Sequence, residues 1–170
     1  MVPRRSRFSV FLAAATVALA LAMSPAVVGA GPNTDTASGS GTVFSDQVDF
    51  SARSTNVNTD ARGRIRVTDT GLDPNQTWTA EVTCMRVIGA TATTPATVVV
   101  SGRIVDSPPG SFVQSIQVQA TDAGKFANAP DSMFYQFFGT PSPPDGTCPM
   151  PITFTSPLAD GEVTISNALP

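Results

Sequence analysis

Histidine is absent from all 170 residues, and that removes most familiar catalytic arrangements at once. Ser-His and Cys-His nucleophiles need an imidazole to take the proton, and many zinc sites need one as a ligand. Lys125 is the only lysine, and it lies in a polar connection with no apolar shell to make it a Schiff-base former. Paired carboxylates are the remaining acid–base route, as in glycoside hydrolysis. Asp46 with Asp49, and Asp122 with Asp131, are the pairs that come to notice. The second pair brackets a loop with Asn128 and several carbonyls, the oxygen ligands that calcium prefers. Its spacing lacks the alternating acids of an EF-hand. Asp122 and Asp131 therefore stand as metal candidates only beside the plainer reading of turn-capping aspartates. No cofactor is expected.

Three arginines, Arg62, Arg64 and Arg66, alternate along one run, so in a strand they line one face. A solvated sheet face is the bland reading, and contact with an anion or a polysaccharide is the functional one. Asn75-Gln76-Thr77 fits the glycosylation triplet, a pattern that arises easily by chance.

These residues sit in a chain that opens like an exported protein. Arg4, Arg5 and Arg7 precede an apolar run, residues 8–23, followed by the small residues Val28-Gly29-Ala30. That is the layout of a signal peptide, with cleavage expected after Ala30. Loss of three arginines takes the formal net charge from −3 to −6 and leaves a mature chain of 140 residues. Such a chain is one domain able to bury a real core. Its acidity argues against nucleic acid or an anionic membrane as partner, because both need clustered positive charge. No second long apolar run exists to span a membrane. The mature domain is read as a monomer whose partner is unknown. Two cysteines in an exported chain read as one disulfide, Cys84 to Cys148.

Residues 31–41, rich in Gly and Ser, read as a flexible leader, and residues 42–170 as the domain. Its most patterned stretch is residues 77–90. There Trp78, Ala80, Val82, Cys84, Arg86 and Ile88 fall on one face and Thr77, Thr79, Glu81, Thr83, Met85 and Val87 on the other, the period of a strand. A first long strand starts near Thr42 and carries Val48, Phe50 and Ala52. Ile65 and Val67 alternate with the arginines. The run 97–105 begins continuously apolar and should be buried on both faces. Residues 111–121 place Phe112, Ile116, Val118 and Ala120 together. Residues 132–139 form an aromatic core strand, and 152–155 and 162–166 close the chain. Fifteen prolines, thirteen glycines and no sustained helical period point to an all-β fold. An antiparallel sandwich or barrel of about 7–9 strands follows.

Short motifs along the mature chain resemble a group of small secreted proteins, mostly actinobacterial. They are the Gly39-Ser40-Gly41 leader, the run Val82-Thr83-Cys84-Met85-Arg86-Val87-Ile88-Gly89, and Thr121-Asp122-Ala123-Gly124. Pro130-Asp131, Cys148-Pro149 and Gly161-Glu162-Val163-Thr164-Ile165 complete the set. Gly89-Ala90 stands where that group usually has Gly-Asn. The resemblance implies an exported β domain with one disulfide and no established activity. The expected function is non-enzymatic: an envelope-associated or ligand- or protein-binding domain. The alternatives are a carboxylate-dependent glycan hydrolase, or a carrier of a small apolar ligand between residues 134 and 138.

Overall fold

A computed structural model describes residues 34–55, 60–124, 129–141, 148–149, 151–152 and 155–166. The segment expected to be a signal peptide, Lys125 and Asn128 lie outside the described residues. The alternating runs become nine strands in one antiparallel sheet: β1 (Asp35–Val43), β2 (Asp46–Ser54), β3 (Arg62–Asp69), β4 (Gln76–Ile88), β5 (Ala96–Asp106), β6 (Ser115–Asp122), β7 (Ser132–Phe138), β8 (Ser156–Pro157) and β9 (Gly161–Ser166). Their spatial order is β8-β7-β6-β5-β4-β3-β2-β1-β9, a meander whose last strand crosses over to pair with the first. The sheet curls into a half-barrel that brings β9 beside β6. No described helix is long and apolar enough to cross a membrane.

The stretch expected to be a flexible leader is a strand through most of its length. β1 is paired on both sides, with β2 and with β9. Ala37, Gly41 and Val43 are buried and alternate with Thr36, Ser38, Ser40 and Thr42, a period-two pattern written in small residues. Gly39 continues the inward set because a Cβ there would stand 2.6 Å from the Phe50 ring. The single long strand expected from Thr42 is likewise two strands. A two-residue loop turns the chain at Phe44 and Ser45, with Phe44 at φ 59.

β4 is central, but its faces are not the ones that simple alternation predicts. The ladder with β5 shifts between Val82 and Cys84, so Thr83 is an extra residue. A bulge of this kind exchanges the two faces of the strand. Before it Trp78, Ala80 and Val82 point inward; after it Met85 and Val87 do. Cys84 therefore leaves the Trp78 face and lies beside Ser101 on the outer side.

That outer side of β5 and β6 is covered, which explains the doubly buried run. Val98 and Val100 belong to the core, whereas Val99 is buried beneath the segment carrying Cys148. The Cys84–Cys148 disulfide pins this segment, with Cα atoms 5.4 Å apart. Gln119, 3% exposed, completes the attachment. Its amide nitrogen donates to Ile152 O at 2.8 Å, and its amide oxygen accepts from Ile152 N at 2.7 Å. One side chain thus does what a neighbouring strand would do. Residues expected as a strand at 152–155 are instead this attachment at Ile152 and, after two residues outside the description, Thr155 leading into β8.

Phe112 also departs from expectation. It is 90% exposed, because β6 begins only at Ser115. Ser111 anchors the preceding turn: its hydroxyl accepts from the Trp78 indole at 3.0 Å and from Val113 N at 3.2 Å. The chain is still turning at Phe112 and has no inward direction to offer it.

Candidate functional site

The polar face of the β9-β1-β2-β3 quarter carries a depression of about 660 Å³. Register decides its composition, since residues directly opposite on adjacent strands share a face. One row across the strands reads Glu162, Ser40, Asp49, Arg66 and Thr79. The next reads Thr164, Ser38, Ser51, Arg64 and Glu81. Small hydroxyl side chains in the middle rows leave a trough; the longer Arg64, Arg66 and Glu162 side chains stand along it.

A second depression of about 330 Å³ adjoins it, lined by Ser51, Ala52, Arg53, Arg62 and Gly63. Here Arg53 stands directly opposite Arg62 on the neighbouring strand. Like charges so placed repel, and stability alone does not favour the pairing. Neither guanidinium, nor that of Arg64 or Arg66, makes a hydrogen bond or ion pair among the described residues. Gly63, at φ 151, lets the backbone pass where a Cβ would stand 1.9 Å from Ser51 O. The face therefore has a cationic end, Arg53 and Arg62, and a hydroxyl and carboxylate end, Ser40, Asp49 and Glu162.

Of the two carboxylate pairs noticed in the sequence, one separates and the other comes together. Asp49 faces the trough, while Asp46, at the hairpin, accepts the hydroxyl proton of Tyr135. Asp122 and Asp131 meet, and both spend their oxygens on the backbone. Asp131 Oδ1 accepts from Ala123 N at 2.9 Å and its Oδ2 from Val163 N at 2.7 Å; Asp122 Oδ2 accepts from Ile165 N at 3.0 Å. These bonds tie the free edge of β9 to the ends of β6 and β7. Among the described residues, no group of three or more His, Cys, Asp or Glu side chains converges as a metal site would.

Glu162, Ser38 and Ser40 are site residues that reading the sequence did not reach. Glu162 comes to Asp49 only through the crossover that lays β9 against β1, leaving the two acids on either side of Ser40. The serines were legible in principle through the alternation of residues 36–43.

Two titrations mark the end of the half-barrel around the β1–β2 turn. Burial, then the hydrogen bond to Asp46, raises the Tyr135 phenol far above its ordinary value. Hydrogen bonds from Thr42 hold the exposed Asp160 carboxyl below the usual carboxylate range. Phe137 packs between Trp78, at 4.9 Å, and Tyr135, at 5.4 Å. With Phe50, Met85 and Met133 these rings fill the interior in which an apolar ligand would have to lie.

Set against known protein families, curated proteins and solved structures, the chain finds no match.

Proposed function

We propose that this is an exported, non-enzymatic binding domain that holds an acidic polysaccharide on the β9-β1-β2-β3 face. The observation that carries the reading is the directly opposed Arg53 and Arg62, exposed and unpaired among the described residues, at one end of a hydroxyl-lined trough. Guanidinium groups recognise carboxylates through two parallel hydrogen bonds. Serine hydroxyls donate to and accept from sugar hydroxyls, and the carboxylates of Asp49 and Glu162 accept from them. A uronic acid polymer offers both partners at once. The disulfide agrees with an oxidising compartment, and the sequence supports export through its signal-peptide layout and its resemblance to small secreted actinobacterial proteins. Calorimetric titration with polygalacturonate against neutral dextran tests the reading. Binding should be confined to the acidic polymer and should weaken as salt rises.

A second reading rests on Asp49 and Glu162. Two strand spacings put their backbones roughly 10 Å apart, close to the carboxyl separation of inverting glycosidases. As a hydrolase, the protein would release reducing ends from the same polymer, and Glu162→Gln would abolish the release.

A further inference from the structure

Side-chain length gives the trough on the β9-β1-β2-β3 face a direction. Ser38 and Ser40 of β1 and Ser51 of β2 make a low floor. Arg64 and Arg66 of β3 stand on one side of it, and Glu162 and Thr164 of β9 on the other. Three strand spacings, roughly 14 Å, separate the backbones of these two walls. The second depression continues the floor along β2 and β3, past Arg53 and Arg62. An extended chain therefore lies along the strands, with one edge toward β3 and the other toward β9.

The two walls are opposite in character. β3 presents Arg62, Arg64 and Arg66 in succession, all exposed and none in a hydrogen bond or ion pair among the described residues. β9 presents Glu162, Thr164 and Ser166 in the matching rows and contains no cation. Asp49 adds a second carboxylate in the row of Glu162. A ligand carboxylate on the β3 edge meets guanidinium groups; one on the β9 edge meets Glu162. Chains of cellulose linkage turn each sugar over relative to the one before, so equivalent substituents leave by opposite edges in turn. An acid on every sugar would drive half the carboxylates toward β9. Acids on alternate sugars all leave by one edge, and the neutral hydroxyls by the other.

The inference rests on reading this face as an acidic-polysaccharide site: we propose that the trough takes a polymer of alternating acidic and neutral sugars, its carboxylate edge along β3 and its hydroxyl edge along β9. The arginines hold the carboxylates through paired hydrogen bonds. Glu162, Thr164 and Ser166 take the neutral hydroxyls. Glu162 and Asp49 also repel carboxylates presented on the wrong edge, which is where the selectivity arises.

Two oligomers of cellulose linkage and equal carboxylate number test this by calorimetry on the full mature chain. One alternates glucuronate with glucose, and the other is glucuronate throughout. The alternating oligomer should bind tighter by roughly fivefold or more, although total charge is the same. Asp49→Asn combined with Glu162→Gln, at two exposed positions, removes both carboxylates and keeps groups that hydrogen-bond. It should strengthen binding of the all-glucuronate oligomer several-fold and so narrow the preference. Equal affinity of the wild type for the two oligomers, or a preference that the variant leaves intact, would overturn the alternating pattern while polysaccharide binding stands. Failure of the alternating oligomer to bind would overturn it too, and if polygalacturonate also fails, the acidic-polysaccharide reading falls with it.

Discussion

Asp131 accepts the backbone N–H of Val163 at 2.7 Å, and so a carboxylate stands where a neighbouring strand would be. Its other oxygen holds Ala123 N, and Asp122 repeats the device on Ile165. The half-barrel is closed on this side by side chains. Asp131→Asn keeps the shape but replaces one accepting oxygen with a donor facing an N–H. Charge-assisted bonds contribute about 1.5–3 kcal/mol when buried, and Asp131 is only half-buried, so a loss of about 1–2 kcal/mol is expected. Urea denaturation measures it, and amide exchange at Val163 should quicken more than exchange in β4. An unchanged denaturation midpoint would mean that β9 is held by its pairing with β1 alone.

Tyr135 is the only tyrosine, so phenolate absorbance reports it without interference. Its folded pKa is raised, first by burial and then by the Asp46 bond. A raised folded pKa means stability fully present below the unfolded value of about 10 and lost as pH climbs above it. The native protein should show no phenolate until pH has passed that value, and alkaline unfolding should release it. Tyr135→Phe should remove this part of the alkaline loss. A native titration midpoint near the ordinary value would contradict the contact with Asp46.

The disulfide closes a separation of 64 residues. In the chain-entropy account that stabilises the fold by about 4 kcal/mol. Cys84→Ser combined with Cys148→Ser should lower the guanidinium midpoint accordingly. The far-UV spectrum should keep its β character, since Gln119 still holds Ile152. A loss of much less than 1 kcal/mol would show that those bonds suffice to hold the covering segment.

Arg53 and Arg62 separate a functional reading from a structural one. If their opposition serves a ligand, Arg62→Ala relieves repulsion and should stabilise the free protein by a few tenths of a kcal/mol. The same change should weaken polysaccharide binding. A destabilised Arg62→Ala protein would mean that the guanidinium makes a supporting contact in the fold.

Alternation carries most of the architecture in the sequence: β2, β3, β5, β7 and β9 lie close to where hydrophobic periodicity places them. It misplaces what periodicity cannot express. β1 is patterned in Ala, Gly and Ser, residues whose composition reads as a linker, although pairing on both sides makes it a strand. The bulge at Thr83 turns Cys84 outward, and its trace in residue types, Met85 and Val87 in the run of Thr79 and Glu81 with Arg86 in the run of Ala80 and Val82, is missed by simple alternation. Phe112 keeps the parity of a core residue but belongs to a turn set by Ser111. The arginine face was legible because its spacing is local. Arg53 facing Arg62 and Glu162 reaching the Asp49 side were not, because they depend on hairpin register and on the β9 crossover.

The proposed function requires that the arginine face hold an acidic polymer. Titrating polygalacturonate into the wild type and into Arg53→Ala combined with Arg62→Ala, followed by calorimetry and by amide shifts, decides it. The expected result is salt-sensitive binding that shifts residues 38–40, 49–53 and 62–66 and falls at least tenfold in the variant, which melts no lower than the wild type. Equal affinity in the two proteins, or shifts confined to another face, would contradict it.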